Sequence, residues 1–437
     1  MALGGGTFTS MNKKLPGTYI NFISASNASS ILSDRGIAAM AFTLDWGKDD
    51  EVFTVSADDF QKNAQAIFGY DYSHEKMKGL RDLFLNIRTL YAYKLNSNGT
   101  KASNTFATAK CGGVRGNDLK IVIQKNVDDT TKFDVTTVLG TVKVDTQTVS
   151  KADELTDNDY VSFKTDATLT ATASTPLTGG TNGEDVTSAD HQTFLNKIES
   201  YSFNTIGVVS EDKAINQLYS QFAKRMRNEY GVKFQSVTWQ NASDDESNIN
   251  VKNEVIDDNF SKASAVYWTT GVQAGCEINE SCQNTVYNGE FNIKTEYTQA
   301  ELEAAIDNGE FVFHKVADDI RVLDDINSLV TTTDEKGDIF KSNQTIRVID
   351  NIGNDIATLF NTKYLGKIPN DASGRISLWS DVVNIFNNLN TIRAIENFDS
   401  ENVIVEMGNT KKDVVVTVNE IEIVGVMGKL YMTNTIQ

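Results

Sequence analysis

Residues 111–123, CGGVRGNDLKIVI, set Gly112, Gly113 and Gly116 in front of an apolar run, a spacing that imitates a phosphate-cradling loop. Such a loop works when it follows a strand and opens a helix, because the helix N-terminus presents free N–H groups to the anion. The P-loop version adds a Lys-Ser/Thr pair. Here the glycines open a strand-like alternation and that pair is missing. The segment therefore predicts a turn or a bulge. A hydrolase built on it would have to lose its turnover in Gly113→Ala.

The metal-ligating types are scattered. His74, His191 and His314 lie far apart, and none has a second ligand at i+3 or i+4. Cys276 and Cys282 flank EINES at a spacing no usual zinc finger uses. With Cys111 they make an irregular set that suits a reducing compartment and reads as small buried side chains. The acidic clusters DWGKDDE (45–51), NASDDESN (241–248) and ADDIRVLDDIN (317–327) lack the alternation, sixth-position Gly and twelfth-position Glu of a calcium loop. They read as solvated loop charge. No Gly-x-Ser-x-Gly elbow occurs. These residues predict no catalytic centre, no cofactor and no metal.

Main-chain chemistry is better represented. In DVVVTVNEIEIVGVMGKLYMTNTIQ (413–437), Val414, Val416 and Val418 alternate with Val415, Thr417 and Asn419, and Ile421 and Ile423 continue between Glu420 and Glu422. LPGTYINF (15–22) is a second strand-like piece near the other end. An unpaired strand is an aggregation hazard unless something pairs with it. Addition to another sheet would use its main-chain hydrogen bonds for affinity and its alternate side chains for register.

The chain has 437 residues, and about 100–200 residues per domain suggests about three domains. A net charge of -19 without a long Lys/Arg run removes the footprint of a nucleic-acid or anionic-membrane binder. No apolar stretch approaches the roughly 18 residues that span a bilayer, and the first residues lack a signal peptide's apolar block. Cytoplasmic residence without membrane insertion is the expectation.

Periodicity then divides the chain. Behind an N-terminal arm (1–22), residues 23–95 read as the first α/β part of a core. This part holds a buried strand in GIAAMAFTLDWG (36–47), a helix over 58–68, and a helix capped by Ser73 in HEKMKGLRDLFLNI. Met77, Leu80, Leu83, Phe84 and Ile87 share one face of that helix, and strand TLYAYKL follows. Short alternating runs between Gly, Asn and Asp turns make 96–186 a β-rich inserted domain. Residues 187–340 return to α/β, with strand FNTIGVVS, a helix capped by Ser210 and closed by Gly231, strands in VKFQSVTW and ASAVYWTTGVQAG, and a Thr298/Glu301 capping box. Residues 341–425 hold two long helices and a hairpin from NVIVEM through GNTKKD into the terminal strand, and 426–437 form a C-terminal arm. The fold class is α+β and α/β multidomain, with a core built from both chain ends.

LPGTYINF, KCGGVRGNDLKIVI, VLDDINSL, FKSNQTIRVIDNIGNDIATLFNTKYLGKIPND and VMGKLYMTNTIQ, in this order and spacing, resemble the contractile tail sheath proteins of myophages, phage-tail-like bacteriocins and defective prophages. The resemblance implies a non-enzymatic subunit that polymerises as stacked hexameric rings around a tail tube. Both chain ends would add strands to sheets of neighbouring copies. It assigns inter-subunit arm contacts to Tyr19, Ile20, Phe22, Val414, Val416, Val418, Ile421, Ile423, Leu430, Tyr431 and Met432. Arg375, Asp381 and Arg393, on the polar side of 375–395, are the tube-facing candidates. The implied partners are further copies of the chain, the tube, the baseplate and tail-terminator proteins, in a particle assembled in a bacterial cytoplasm. Gly4–Gly6 and the Gly408–Asn409 turn are candidate flexible points. Whether DVVVTVNEIEIV stays in its own subunit while GKLYMTNTIQ crosses is left open by the sequence. An alternative is a surface-exposed particle protein whose β-rich insert reads carbohydrate.

Overall fold

The computed structural model describes residues 35–436. The segment LPGTYINF, with Tyr19, Ile20 and Phe22, and the glycines at 4–6 lie outside the described residues. Arg35–Asp350 together with the segment from Gly425 form one compact body, and Asn351–Val424 form another.

In the first body, β1 (Ile37–Phe42), β2 (Val52–Ser56), α1 (Ala57–Phe68), α2 (Lys78–Phe84) and β3 (Thr89–Lys94) precede the insert. The insert holds β4 (Ala107–Ala109), β5 (Leu119–Lys125), β6 (Phe133–Leu139), β7 (Val142–Val149), β8 (Val161–Phe163) and β9 (Thr172–Pro176). After it come α3 (Ser188–Ile198), β10 (Thr205–Gly207), α4 (Lys213–Arg225), β11 (Gln235–Trp239), β12 (Asn248–Val251), α5 (Ala265–Gly275), α6 (Gln299–Asp307), β13 (Glu310–Phe311), β14 (Phe313–Val316) and β15 (Asp319–Val322).

Strands from both sides of the insert meet in one seven-stranded sheet of order β13-β12-β11-β10-β1-β3-β2. Every pairing is parallel except β2 with β3. Thus 35–95 and 205–311, which lie in the two segments read from the sequence as 23–95 and 187–340, share a continuous sheet, and the insert loops out between β3 and α3. Side-chain alternation sends Ala38, Met40, Leu90 and Ala92 to one face, where α1, α2 and α5 cover them. It sends Ala39, Tyr93, Ile206 and Val208 to the other face, under α3 and α4. Covering both faces is what a parallel sheet requires, and it explains why β11 and β12 are buried at every position. The insert has its own core on sheets β7-β6-β5-β9 and β4-β8, built from Leu119, Ile121, Ile123, Val135, Val161 and Phe163 and joined by Trp46.

In the second body, α7 (Asn343–Leu359) enters from the first, followed by α8 (Ala372–Thr391), β16 (Ile395–Glu396), β17 (Val403–Met407), β18 (Val414–Val418) and β19 (Glu422–Ile423). Antiparallel pairs β17–β18 and β16–β19 are its sheets, and Leu378, Val382, Ile385, Phe386 and Leu389 form the buried side of α8.

Three local expectations are corrected. The turn before α2 is capped by His74, whose Nδ1 accepts from the Lys76 N–H at 3.1 Å, and not by Ser73. Asp212, rather than Ser210, caps α4. ASAVYWTTGVQAG, read as a strand, is the buried helix α5.

Candidate functional site

The glycine loop is a close-packing device. A Cβ on Gly113 would stand 1.9 Å from the Asp45 carbonyl oxygen, and the residue has φ +139°, so only glycine fits there. The Gly112 carbonyl accepts from the fully buried Lys94 at 2.8 Å, and Lys94 also pairs with Asp49 at 2.9 Å. A short 3-10 turn, Val114–Asp118, follows and leads into β5. The loop closes the base of the insert.

The acidic clusters are solvated only in part: Asp50, Glu51, Asp244, Asp318 and Asp319 are exposed as the sequence leads one to expect, whereas Asp245, Glu246 and Asp325 are buried and Asp45 is half-buried, which corrects the expectation for these. Asp45 accepts from Tyr70 at 2.8 Å and from Asn182 at 3.0 Å, and it pairs with Lys76. Asp245 and Glu246 are buried and meet Lys224 at 2.9 Å and Lys336 at 2.5 Å. Asp325 is the centre of a buried node. It pairs with Arg347 at 2.8 Å and accepts from Gln273 (2.7 Å), the Cys282 N–H (3.0 Å) and Asn343 (3.0 Å). Burial pushes its carboxyl upward, yet Arg347 and these donors hold it below the usual carboxylate range. The sequence did carry one signal for this node: Arg347 stands between Ile346 and Val348, both fully buried, and a charge flanked so must have a partner.

A crevice of about 630 Å³ opens at the carboxyl ends of β1 and β10, where the strand order reverses and α/β proteins commonly hold ligands. Its polar groups have structural duties. His191 Nδ1 shares a hydrogen bond with the Tyr219 hydroxyl at 3.0 Å, and burial lowers the imidazole's pKa. Lys76 pairs with Asp45, and Asp212 caps α4.

The C-terminal strands divide at Gly425. Val414, Val416 and Val418 face Met407, Val405 and Val403 across the chain's own hairpin, and Ile423 faces Ile395. The valines at 414, 416 and 418 are half-buried while Val415 and Thr417 are exposed. Val414 lines a small groove with Leu378, Phe360 and Tyr364, and the Trp379 Nε1–H donates to the Val403 carbonyl at 2.9 Å, tying the hairpin to α8. Ile421 is exposed between β18 and β19. Among the described residues, the outer edges of β17 and β18 have no further strand beside them.

From Gly425 onward the chain joins no strand ladder among the described residues. The Val426 N–H donates to Gln344 Oε1 at 3.3 Å. Leu430 is 88% exposed, Tyr431 88% and Met432 72%, with Met427 and Ile436 equally bare. Of the tube-facing candidates, Arg375 is half-buried and donates to Asn370 at 3.1 Å. Asp381 is held by Lys363 at 2.5 Å and by the Tyr364 hydroxyl. Arg393 is exposed with φ +61°, just beyond the end of α8.

Comparison with known proteins gives these surfaces a context. Four family descriptions match successive parts of the chain: tail sheath protein Gp18 domain III N-terminal region (35–95), phage tail sheath protein beta-sandwich domain (97–185), phage tail sheath protein central domain (184–328) and phage tail sheath C-terminal domain (335–437). The phage-like element PBSX protein XkdK of Bacillus subtilis is 32% identical over 94% of this chain and 95% of its own length. The sheath tail protein of Desulfitobacterium hafniense superposes with TM-score 0.77 at 37% identity, covering 89% of this chain and 93% of that one. That of Listeria innocua gives TM-score 0.80 at 32% identity, covering 92% and 96%. The contracted helical sheath of the anti-feeding prophage shares the fold at 12% identity, with TM-score 0.51 and coverage of 97% and 99%. The chain belongs to the contractile phage tail sheath family and is a structural subunit of a phage tail or tail-like particle.

Proposed function

We propose that this subunit polymerises into hexameric rings stacked around a tail tube, and that strands exchanged at the chain ends link the rings. Contraction of the lattice would then drive the tube through a target envelope. The observation that carries this reading is the segment from Gly425, a run with bare Met427, Leu430, Tyr431, Met432 and Ile436 and no strand ladder among the described residues. The β17–β18 hairpin is the matching receptor type. A two-stranded sheet is marginal alone, and its open edges offer main-chain groups to an incoming strand.

Each added hydrogen bond contributes about 0.5–1.5 kcal/mol net, while ordering each arm residue costs about 1–2 kcal/mol. A single arm therefore binds weakly. Many arms in one lattice raise the effective concentration, so assembly is cooperative and starts on a tube or baseplate. Tail-terminator proteins would close the polymer, and assembly would take place in the bacterial cytoplasm. The work is mechanical: rigid bodies repack while their linkers turn, with the Gly408 turn and Gly425 as pivots, and no bond of a substrate is broken. The outer edges of the hairpin leave Val414, Val416 and Val418 a role as the strand that receives an arm, and Arg375, Asp381 and Arg393 remain the proposed tube-facing set.

The test is deletion of residues 425–437. The shortened chain should stay folded and should form no sheath in negative-stain micrographs, with or without its tube. Normal sheaths from that chain would refute the arm reading. A cut after Lys412 would be a poorer experiment, because it also removes β18 from the chain's own hairpin.

A further inference from the structure

Cys276 and Cys282 are the two thiols that the function above leaves unused. Cys276 is the C-cap of α5 and its N–H donates to the Val272 carbonyl at 2.8 Å. The Cys282 sulfur approaches the same oxygen at 3.8 Å. The two side chains are hydrogen-bonded to each other, and both are free thiols. They differ in access: Cys276 is half-buried and Cys282 is 1% exposed. Their electrostatics differ in the same sense. The hydrogen bond from Cys282 and the charges of Arg347 and Arg35 lower the Cys276 thiol despite burial, whereas that bond and burial push Cys282 well up. Two guanidiniums stand at this spot against the single carboxylate of Asp325, which opposes their effect on Cys276. Arg35 donates to the Cys276 and Gln273 carbonyls at 2.6 and 2.8 Å, and the buried Arg347 donates to the Glu280 carbonyl at 2.9 Å while its Nε finds no acceptor among the described residues. A half-buried thiol with a lowered pKa beside a fully buried thiol is the arrangement of a redox pair.

The loop between the cysteines supports the start of the C-terminal segment. Gln344 accepts from the Val426 N–H and donates to the Asn279 carbonyl at 3.4 Å. A Cβ on Gly428 would meet the Gln283 side-chain amide at 3.2 Å.

We propose that Cys276 and Cys282 form a reversible disulfide when the protein meets an oxidised low-molecular-weight disulfide, and that this bond stiffens the 277–283 loop under residues 426–428. The Cys276 thiolate attacks one sulfur of the oxidant, forming a mixed disulfide and releasing one thiolate. Cys282 then loses its proton and attacks the Cys276 sulfur, expelling the second thiol. Two protein thiols are oxidised and one oxidant disulfide is reduced to two thiols.

The test treats the native full-length chain with oxidised glutathione, quenches with acid and counts free thiols in denaturant. The titre should fall from the three cysteines of the chain to one. Peptide mapping should join the peptides carrying Cys276 and Cys282, and dithiothreitol should restore all three. Cys111→Ser should fall to no free thiol. Cys282→Ser should stop at a glutathione adduct on Cys276. Hydrogen exchange across 277–283 and 426–428 should slow in the oxidised form. A native titre that stays at three, a stable adduct on Cys276 of the unaltered chain, or a bond through Cys111 would each overturn the proposal. Unchanged exchange in a chain carrying the disulfide would overturn the effect on the C-terminal segment.

Discussion

The seven-stranded sheet and the C-terminal hairpin are built to opposite rules. Every residue of β11 and β12 is buried, helices cover both sheet faces, and the buried Arg347 is paired with Asp325. In β18 burial only alternates between half-buried and exposed, two strands make the sheet among the described residues, and the chain beyond it spends its apolar side chains on solvent. Between its end strands β13 and β2, the first region has satisfied its backbone and its apolar surface within one chain. The second has left both unspent, which is the condition for donating or accepting a strand. The proposed contracting lattice would need both kinds: bodies that do not deform and connections whose pairing belongs to the assembly.

The comparison breaks most severely at Asp325. Asp325→Ala would leave Arg347 buried without its counter-charge and strip acceptors from Gln273, the Cys282 N–H and Asn343, at a cost of about 3–5 kcal/mol. The denaturant midpoint of the sheet body should fall accordingly. Asp325→Leu combined with Arg347→Met should recover most of that loss, because removing both charges leaves no uncompensated one. A single variant with an unchanged midpoint would mean that the node does not hold this body together.

That node also marks the limit of what the sequence disclosed. The amphipathic helices α1, α4, α7 and α8, the insert and the closing hairpin were legible, since each presents a period of 3.6 or 2 with a solvent side. α5 was not. Nine of its eleven residues are buried, so apolar and small side chains surround it and no stripe marks it as a helix; Val266, Trp268 and Thr269 imitate a buried strand instead. The buried carboxylates of ADDIRVLDDIN and NASDDESN looked like solvent-exposed charge because the cations that pair with them are remote in sequence, Arg347 for Asp325 and Lys224 and Lys336 for Asp245 and Glu246. Among the described residues the run from Gly425 is exposed and joins no ladder, and its role as an arm remains a proposal. The sequence had left undecided where the chain's own sheet stops and the free run begins, because one alternating pattern crosses from β18 past β19.

Asp355 sharpens the comparison from the second body. Its carboxyl is partly buried, and that burial, opposed only by a 2.7 Å bond from Asn351, raises its pKa to about 6. An acid raised on folding stabilises the fold when protonated. Its contribution is complete below the unfolded value near 3.8 and is lost as pH rises through about 6. A difference of this size would be about 3 kcal/mol in a fully buried group; water screening at this half-exposed position reduces it to about 1 kcal/mol. Asp355→Asn should therefore stabilise residues 351–424 by about 1 kcal/mol at pH 7.5 and give nothing at pH 4. Thermal melts or exchange rates of α8 amides at the two pH values measure this. Equal effects at both would place the carboxyl in water, and the second body would then carry no buried acid to set beside those of the first.

The smallest effect on the subunit is the one that separates the two regions most cleanly. Replacing Leu430, Tyr431 and Met432 together by Ser removes only side chains that already face solvent in the single chain. Surface changes of this kind usually stay within about 0.5 kcal/mol, so the melting midpoint and the exchange of β11 and β12 should not move. Sedimentation of polymer in the presence of tube should nevertheless be lost, because the apolar contacts that set the register of an added strand are gone. A loss of more than about 1 kcal/mol in the isolated chain would exceed what solvent-facing positions carry. These residues would then belong to the chain's own core, and the contrast between a finished sheet and an unfinished terminus would not hold. Full polymer yield with an unchanged midpoint would move the linking strand elsewhere, to the edges of β17 and β18.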